Sequence, residues 1–138
     1  MSTFRAKLFA ILSTAWGIFI FSNSLKTGTQ SSAVSDSIVD KLVLKLGLSI
    51  DVDLLTLLIR KAAHLSEYLL LGLLISLCCY YTKKRFQYNI LTILFLGLSA
   101  SVLDEFLQTF IVGRSGEVRD ILIDFAGILI GFFIVYFV

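Results

Sequence analysis

The stretch RKAAHLSEYLLLGLLISLCCYY, residues 60–81, decides the fold. From Ala62 onward it is an apolar run of roughly 20 residues, the length a helix needs to cross about 30 Å of hydrocarbon at 1.5 Å per residue. Yet it begins among three ionisable side chains, Lys61, His64 and Glu67. Three more runs share its character: Phe4 to Ser22, Tyr88 to Val112 and Asp120 to Val138. With 57% hydrophobic and 16% charged residues and a mean hydropathy of +0.91, the chain lies well beyond the roughly 45–50% apolar content of soluble domains. A backbone in lipid must satisfy its hydrogen bonds internally, and no run shows the alternation of a barrel strand, so all are expected as helices. The expectation is an all-α, polytopic membrane helix bundle with spans at about 4–22, 62–81, 88–112 and 120–138, forming one domain over residues 1–138. Proline is absent, so nothing forces a kink.

Asn23 to Asp53 is the sizeable extramembrane piece. Within it Ala33, Ile38, Leu42, Val43 and Leu46 keep a helical period, with Asp36, Asp40, Lys41 and Lys45 between them. That pattern predicts a short amphipathic helix, lying on the membrane surface or packed on the other helices. Arg5 and Lys7 precede the apolar run from Leu8 to Phe21 in the order of a signal peptide. Phe21, Ser22, Asn23 and Ser24 place bulk where a cleavage site needs small residues, so the run is read as a retained span. A net charge of +2, with no basic run longer than Lys83, Lys84, Arg85, gives no footing for nucleic acid. Cys78 and Cys79 are neighbours that a helix would splay by about 100°, which strains a disulfide, so they are read as small buried hydrophobes.

Basic residues in short loops mark the cytoplasmic side, and Arg5 and Lys7 with Lys83, Lys84 and Arg85 put both termini there. Arg114 and Arg119, in the opposite loop, pull the other way. In that orientation the second span enters from outside with His64 and Glu67 in its first turns. The third carries Asp104, Glu105 and Gln108 near its outer end, and the fourth re-enters with Asp120 and Asp124. Glu67 and Asp124 then lie within about 10 Å of the outer ends of their helices. Lys61, His64 and Glu67 step by three, Asp104 and Gln108 by four, and Asp120, Asp124, Gly127 and Gly131 by four, three and four. Each set therefore shares one helix face. Gly127 and Gly131 have the spacing that lets membrane helices approach closely.

Together RKAAHLSEYLLLGLL (60–74), LDEFLQTFIVGRSGEVRDILIDFAGILIG (103–131) and FSNSL (21–25) resemble the VanZ-like family, small bacterial membrane proteins named after a glycopeptide-resistance accessory protein. The resemblance rests on K-x-x-H-x-x-E-Y, D-E-x-x-Q, G-R and D-x-x-x-D-x-x-G-x-x-x-G in that order. It carries over to Lys61, His64, Glu67, Tyr68, Asp104, Glu105, Gln108, Arg114, Asp120, Asp124, Gly127 and Gly131. It implies a multi-pass protein of the bacterial cell (inner) membrane with a role at the envelope, low-level teicoplanin resistance being known for the namesake. It implies no settled reaction.

Charged groups at mid-bilayer cost on the order of 2.5–3.5 kcal/mol each on insertion scales, so these acids must pair, protonate, reach water or bind a cation. A metal reading takes His64, Glu67, Asp120 and Asp124 as ligands; one imidazole among carboxylates suits Mg²⁺ or Mn²⁺ better than Zn²⁺. An acid/base reading uses His64, Glu67, Asp104, Glu105, Asp120 and Asp124 for proton transfer, with Lys61, Gln108, Arg114 and Tyr68 holding the substrate. The substrate class at that depth is a membrane lipid or lipid-linked cell-wall precursor. Ser66 and Ser115 are the only nearby hydroxyl nucleophiles among serines and cysteines, which favours water over covalent catalysis. Binding without chemistry, or a polar network that only fixes helix register, stays open. Transport is disfavoured, because Leu69 to Leu77 and Gly127 to Val138 carry no polar track inward.

Overall fold

The computed structural model describes residues 2–46, 51–82 and 90–137. The side chains of Ser2, Val34, Leu42, Leu44 and Leu46 are outside that description, as are Lys83, Lys84, Arg85, Tyr88 and Val138, which the sequence used to set loop charge and span limits. Among the described residues five helices run in order: α1 (Ser2–Ser24), α2 (Gly28–Leu46), α3 (Val52–Tyr81), α4 (Ile90–Gln108) and α5 (Val118–Phe137). No strand occurs among the described residues. All but α2 are long and apolar enough to cross a membrane, so the chain is a multi-pass membrane protein.

Local chemistry sets the helix limits. Thr27 and Gln30 form a reciprocal box, with the Gln30 amide oxygen accepting from Thr27 N at 3.1 Å and the Thr27 hydroxyl accepting from Gln30 N at 3.3 Å. This satisfies donors a helix start leaves open, so α2 begins five residues before Ala33. Asp51 caps α3 by accepting from Asp53 N at 3.0 Å, and α3 then runs for 30 residues. Its length of about 45 Å exceeds a hydrocarbon core of about 30 Å. The expected span from Ala62 is the inner part of this helix, and Val52 to Lys61 extend it beyond. α4 stops at Gln108, short of the expected Val112, because Phe110 and Ile111 turn their N–H groups to the carbonyls three residues back. Gly113 then takes a left-handed φ of 75°, a conformation glycine adopts without steric cost.

The bundle is organised around α3 and α5, which pack more extensively than any other pair. Their backbones meet at Gly72, Gly127 and Gly131: a Cβ on Gly127 would stand 2.6 Å from Leu65 O. α1 lies on α3, and α4 packs mainly on α5. Ile20, Tyr68, Leu71 and Ile128 form the apolar core, with Trp16 and Phe125 against it. The outside is apolar too, Leu91, Phe95, Leu122 and Phe133 all being exposed, as lipid contact requires. Polar side chains on α1 bond back to their own helix, Thr14 to Ala10 O at 2.9 Å and Ser22 to Ile18 O at 2.7 Å. α2 packs on α3 and buries Ser35 and Val39, leaving Ala33 and Ile38 exposed beside Asp36 and Asp40. The buried face thus runs through Ser35 and Val39 to half-buried Val43, keeping Val43 of the expected set and leaving Ala33 and Ile38 off it.

Candidate functional site

One end of the bundle gathers the C-terminus of α1, the first turns of the membrane part of α3, the C-terminus of α4, the turn 109–117 and the start of α5. The helical spacing of the sequence becomes convergence in space here. Two corners of the chain are pressed together above it: Gly28 N donates to Val112 O at 3.1 Å, and a Cβ on Gly28 would collide with Gly113 O. Arg114 Nη1 reaches Ser24 O at 3.3 Å across the same seam.

At the centre, ligand-capable atoms of His64, Asp104, Glu105 and Asp124 lie within 4.8 Å of one another. Asp104 and Asp124 are wholly buried and Glu105 is 3% exposed. Neutral donors hold these carboxylates in place. Gln108 Nε2 donates to Asp104 Oδ2 at 3.2 Å and to Glu105 Oε1 at 3.1 Å. Glu117 N donates to Glu105 Oε2 at 2.9 Å, and the Ser101 hydroxyl donates to Asp124 Oδ2 at 3.3 Å. Three atoms remain without a hydrogen bond: Asp104 Oδ1, Asp124 Oδ1 and His64 Nδ1. His64 Nδ1 stands 3.3 Å from Asp124 Oδ1 without completing a hydrogen bond. Ser24 and Tyr68 face Asp104 as well, yet neither satisfies Oδ1.

The remaining acids stand around this centre. Asp120 pairs with Lys61 Nζ, and Glu67 accepts from Asn23 Nδ2 at 3.1 Å. Asn23 in turn accepts from Lys26 Nζ at 2.9 Å, and Trp16 Nε1 donates to Glu67 O at 2.9 Å, fixing α1 to α3. Among the described residues, Asp120 is the single carboxylate in an ion pair with a Lys or Arg. Arg114 stays near the centre without touching an acid. Its guanidinium is held below its usual range, first by burial and then by neighbouring Arg60, against the pull of Asp104, Glu105 and Glu67.

Two cavities open from the cluster. One, of about 320 Å³, lies between α1, α2 and α3 and is lined by Asn23, Lys26, Arg60, His64, Glu67 and Arg114 among others. The second, of about 240 Å³, lies between α3, the turn and α5, with Arg60, Lys61, His64, Gln108, Arg114 and Arg119 in its wall. His64, Arg60 and Arg114 belong to both, so an anion in either one meets the same guanidinium groups and the same imidazole. Bidentate guanidinium groups suit phosphate oxygens.

The expected site residues thus come together with a division of place. His64, Asp104, Glu105 and Asp124 form the centre, Gln108 supports it, and Lys61 and Arg114 line cavities. Glu67 and Asp120, expected among metal ligands, are engaged by Asn23 and Lys61 instead. Tyr68, expected at the substrate, is buried in the core with its hydroxyl donating to Ala100 O at 3.4 Å, and it lines neither cavity. Ser66 bonds to Ala63 O at 2.8 Å and lines neither. The sequence reading missed Arg60, Asn23, Ser24 and Ser101. A signal existed for Ser101, which precedes Asp104 and Gln108 by three and seven on one face, and for Asn23 and Ser24, seven and eight residues after Trp16. A family model described as VanZ/LLP1 matches residues 9–138, which include all of these positions. No curated protein and no solved structure matches the chain.

Proposed function

The chain belongs to the VanZ-like family, and we propose that it works at the outer face of the cell membrane, hydrolysing a phosphate-bearing envelope lipid or lipid-linked wall precursor. The observation that carries this reading is the meeting of two cation-lined cavities on His64, a member of the buried carboxylate group. The orientation follows from loop charge: Arg5 stacks over Tyr81 at 5.4 Å, which puts the N-terminus of α1 and the C-terminus of α3 together at the end away from the site.

Arg60 and Arg114 hold the phosphate oxygens, and Lys61 sits at the rim of the second cavity. Water drawn into the carboxylate and imidazole cluster attacks phosphorus, and the cluster takes its proton. The phosphorus–oxygen ester bond breaks, and that proton is returned to the departing oxygen. Ser66 is turned back onto its own helix, and Ser115, in the wall of the second cavity, donates to Glu117 Oε1 at 3.5 Å and not to the central cluster, so a water nucleophile fits better than a covalent intermediate. A changed surface precursor is also the route by which such a protein would alter sensitivity to a glycopeptide such as teicoplanin.

The test uses purified full-length protein in phospholipid nanodiscs, offered phosphatidylglycerol or a polyprenyl pyrophosphate, with products read by mass spectrometry. Wild type releases a water-soluble phosphate or phosphorylated headgroup. Arg60→Gln and Arg114→Gln raise KM, each by at least about tenfold for a lost charged hydrogen bond of roughly 1.5–3 kcal/mol, and Asp124→Asn removes turnover. No product from either lipid class, together with equal retention of both by wild type and the arginine variants, would sink the reading.

A further inference from the structure

We infer that His64 Nδ1, Asp104 Oδ1 and Asp124 Oδ1 together hold a divalent cation of the hard class, Mg²⁺ or Mn²⁺. Each is a buried ligand atom without a hydrogen bond, each comes from a different helix, and all three residues belong to a group in which one ligand atom from each lies within 4.8 Å of the others. Both aspartates are wholly buried, so water from bulk solvent does not reach their open oxygens freely. An unpartnered oxygen in such a place calls for a partner, either a water or an ion.

Charge points the same way. Asp104, Glu105 and Asp124 share the centre, and among the described residues no Lys or Arg pairs with any of them. The nearest guanidinium, Arg114, gives its bond to Ser24 O. A divalent cation balances most of that charge at one point, which a single imidazole does not.

Geometry agrees with a shared ion. Ligand atoms about 2.1–2.4 Å from one cation stand roughly 3 Å apart when adjacent and up to about 4.8 Å apart when opposite. His64 Nδ1 and Asp124 Oδ1, at 3.3 Å, fit an adjacent pair. Two carboxylates with one imidazole favour a hard ion over zinc, which takes more nitrogen and sulfur. Gln108 fixes both Asp104 and Glu105, as supporting groups do around bound metals. Glu105, with both oxygens already accepting one hydrogen bond, acts as a positioning carboxylate. Three protein ligands leave positions for water, and His64 places them at the junction of the two cavities.

The cation's part in activating water rests on the hydrolase reading, whereas its presence can be measured without any substrate. Full-length protein in detergent is stripped with chelator and titrated with Mn²⁺, the free ion being followed by its electron paramagnetic resonance signal. Wild type takes up one ion per chain, and Mg²⁺ displaces it. Asp104→Asn and Asp124→Asn weaken uptake more than about tenfold while helix content and elution volume stay those of wild type. Arg114→Gln, which loses phosphate capture, keeps the ion. No uptake by wild type at millimolar Mn²⁺, or equal uptake by the two asparagine variants, overturns the inference. One bound ion without hydrolysis of either lipid leaves this site standing and removes the hydrolase reading; chelator-resistant hydrolysis does the reverse.

Discussion

Gly131→Ala tests the packing that holds the site, at a distance from the site itself. Gly131 lies seven residues past Asp124, or about 10 Å along α5, where α5 crosses α3. An added Cβ would overlap Leu69 O and stand 2.6 Å from Leu73 N and 3.0 Å from Gly72 C. All three are backbone atoms of α3, so no rotamer change relieves the overlap. The helices must separate by close to 1 Å to reach ordinary contact near 3.5 Å. A gap of that size forfeits about a quarter to a half of each 0.1–0.2 kcal/mol pair contact. Over roughly thirty pairs along the crossing the loss is about 2 kcal/mol, within the usual 1–3 kcal/mol of overpacking. Steric trapping of the unfolding equilibrium in bicelles measures it directly. The contrast is Gly97→Ala, whose Cβ would have its three nearest atoms all in the Ile128 side chain, at 2.6 Å from Cγ2 and 2.9 Å from Cγ1. Ile128→Ala alone opens a cavity costing about 2–5 kcal/mol, so the comparison is made in that background, where Gly97→Ala should cost much less than it does in wild type and Gly131→Ala just as much. A Gly131→Ala protein within 0.5 kcal/mol of wild type, a threshold set by ordinary surface substitutions, or a Gly131→Ala cost that shrinks in the Ile128→Ala background, would refute the backbone contact.

Two further outcomes follow from hydrogen bonds already described. Gln108→Ala frees Asp104 and Glu105 from their shared donor, and Mn²⁺ affinity should fall about 10–100-fold with the stoichiometry unchanged. Lys61→Met and Asp120→Asn each strand a partner of the same ion pair, so the double variant should be more stable than the sum of the single losses, with a coupling of about 0.5–3 kcal/mol. Additivity in the same trapping assay would show that the pair contributes nothing.

Much of this architecture is written in the sequence because lipid leaves few choices. Apolar runs of spanning length can be little other than helices, and the three-and-four spacing of Lys61, His64 and Glu67, or of Asp104 and Gln108, has one geometric meaning. Less legible was which acids meet at the centre. Spacing places Asp120 and Glu67 on the right faces, but only the packing depth decides that Lys61 and Asn23 reach them first. Tyr68 shares the polar face in sequence, and the bulk of its ring drives it into the core. The longer start of α3 escaped because Leu54, Leu57 and Leu58 are separated from the apolar run by Arg60 and Lys61. The string TGTQ at 27–30 did carry the start of α2, as a capping box that hydropathy alone passes over.

The dominance of the α3–α5 contact bears on how the protein is made. Helices leave the ribosome in chain order, so α4 arrives with Asp104 and Glu105 before the helix that covers it exists. Until α5 is synthesised, Glu105 lacks the backbone amide of Glu117, Ser101 lacks Asp124, and α3 lacks its principal neighbour. The nascent chain therefore holds two acids of α4 uncovered, and the synthesis of α5 completes the bundle and the site in one event. A chain whose synthesis stalls before α5 would present those two uncovered carboxylates to membrane quality control.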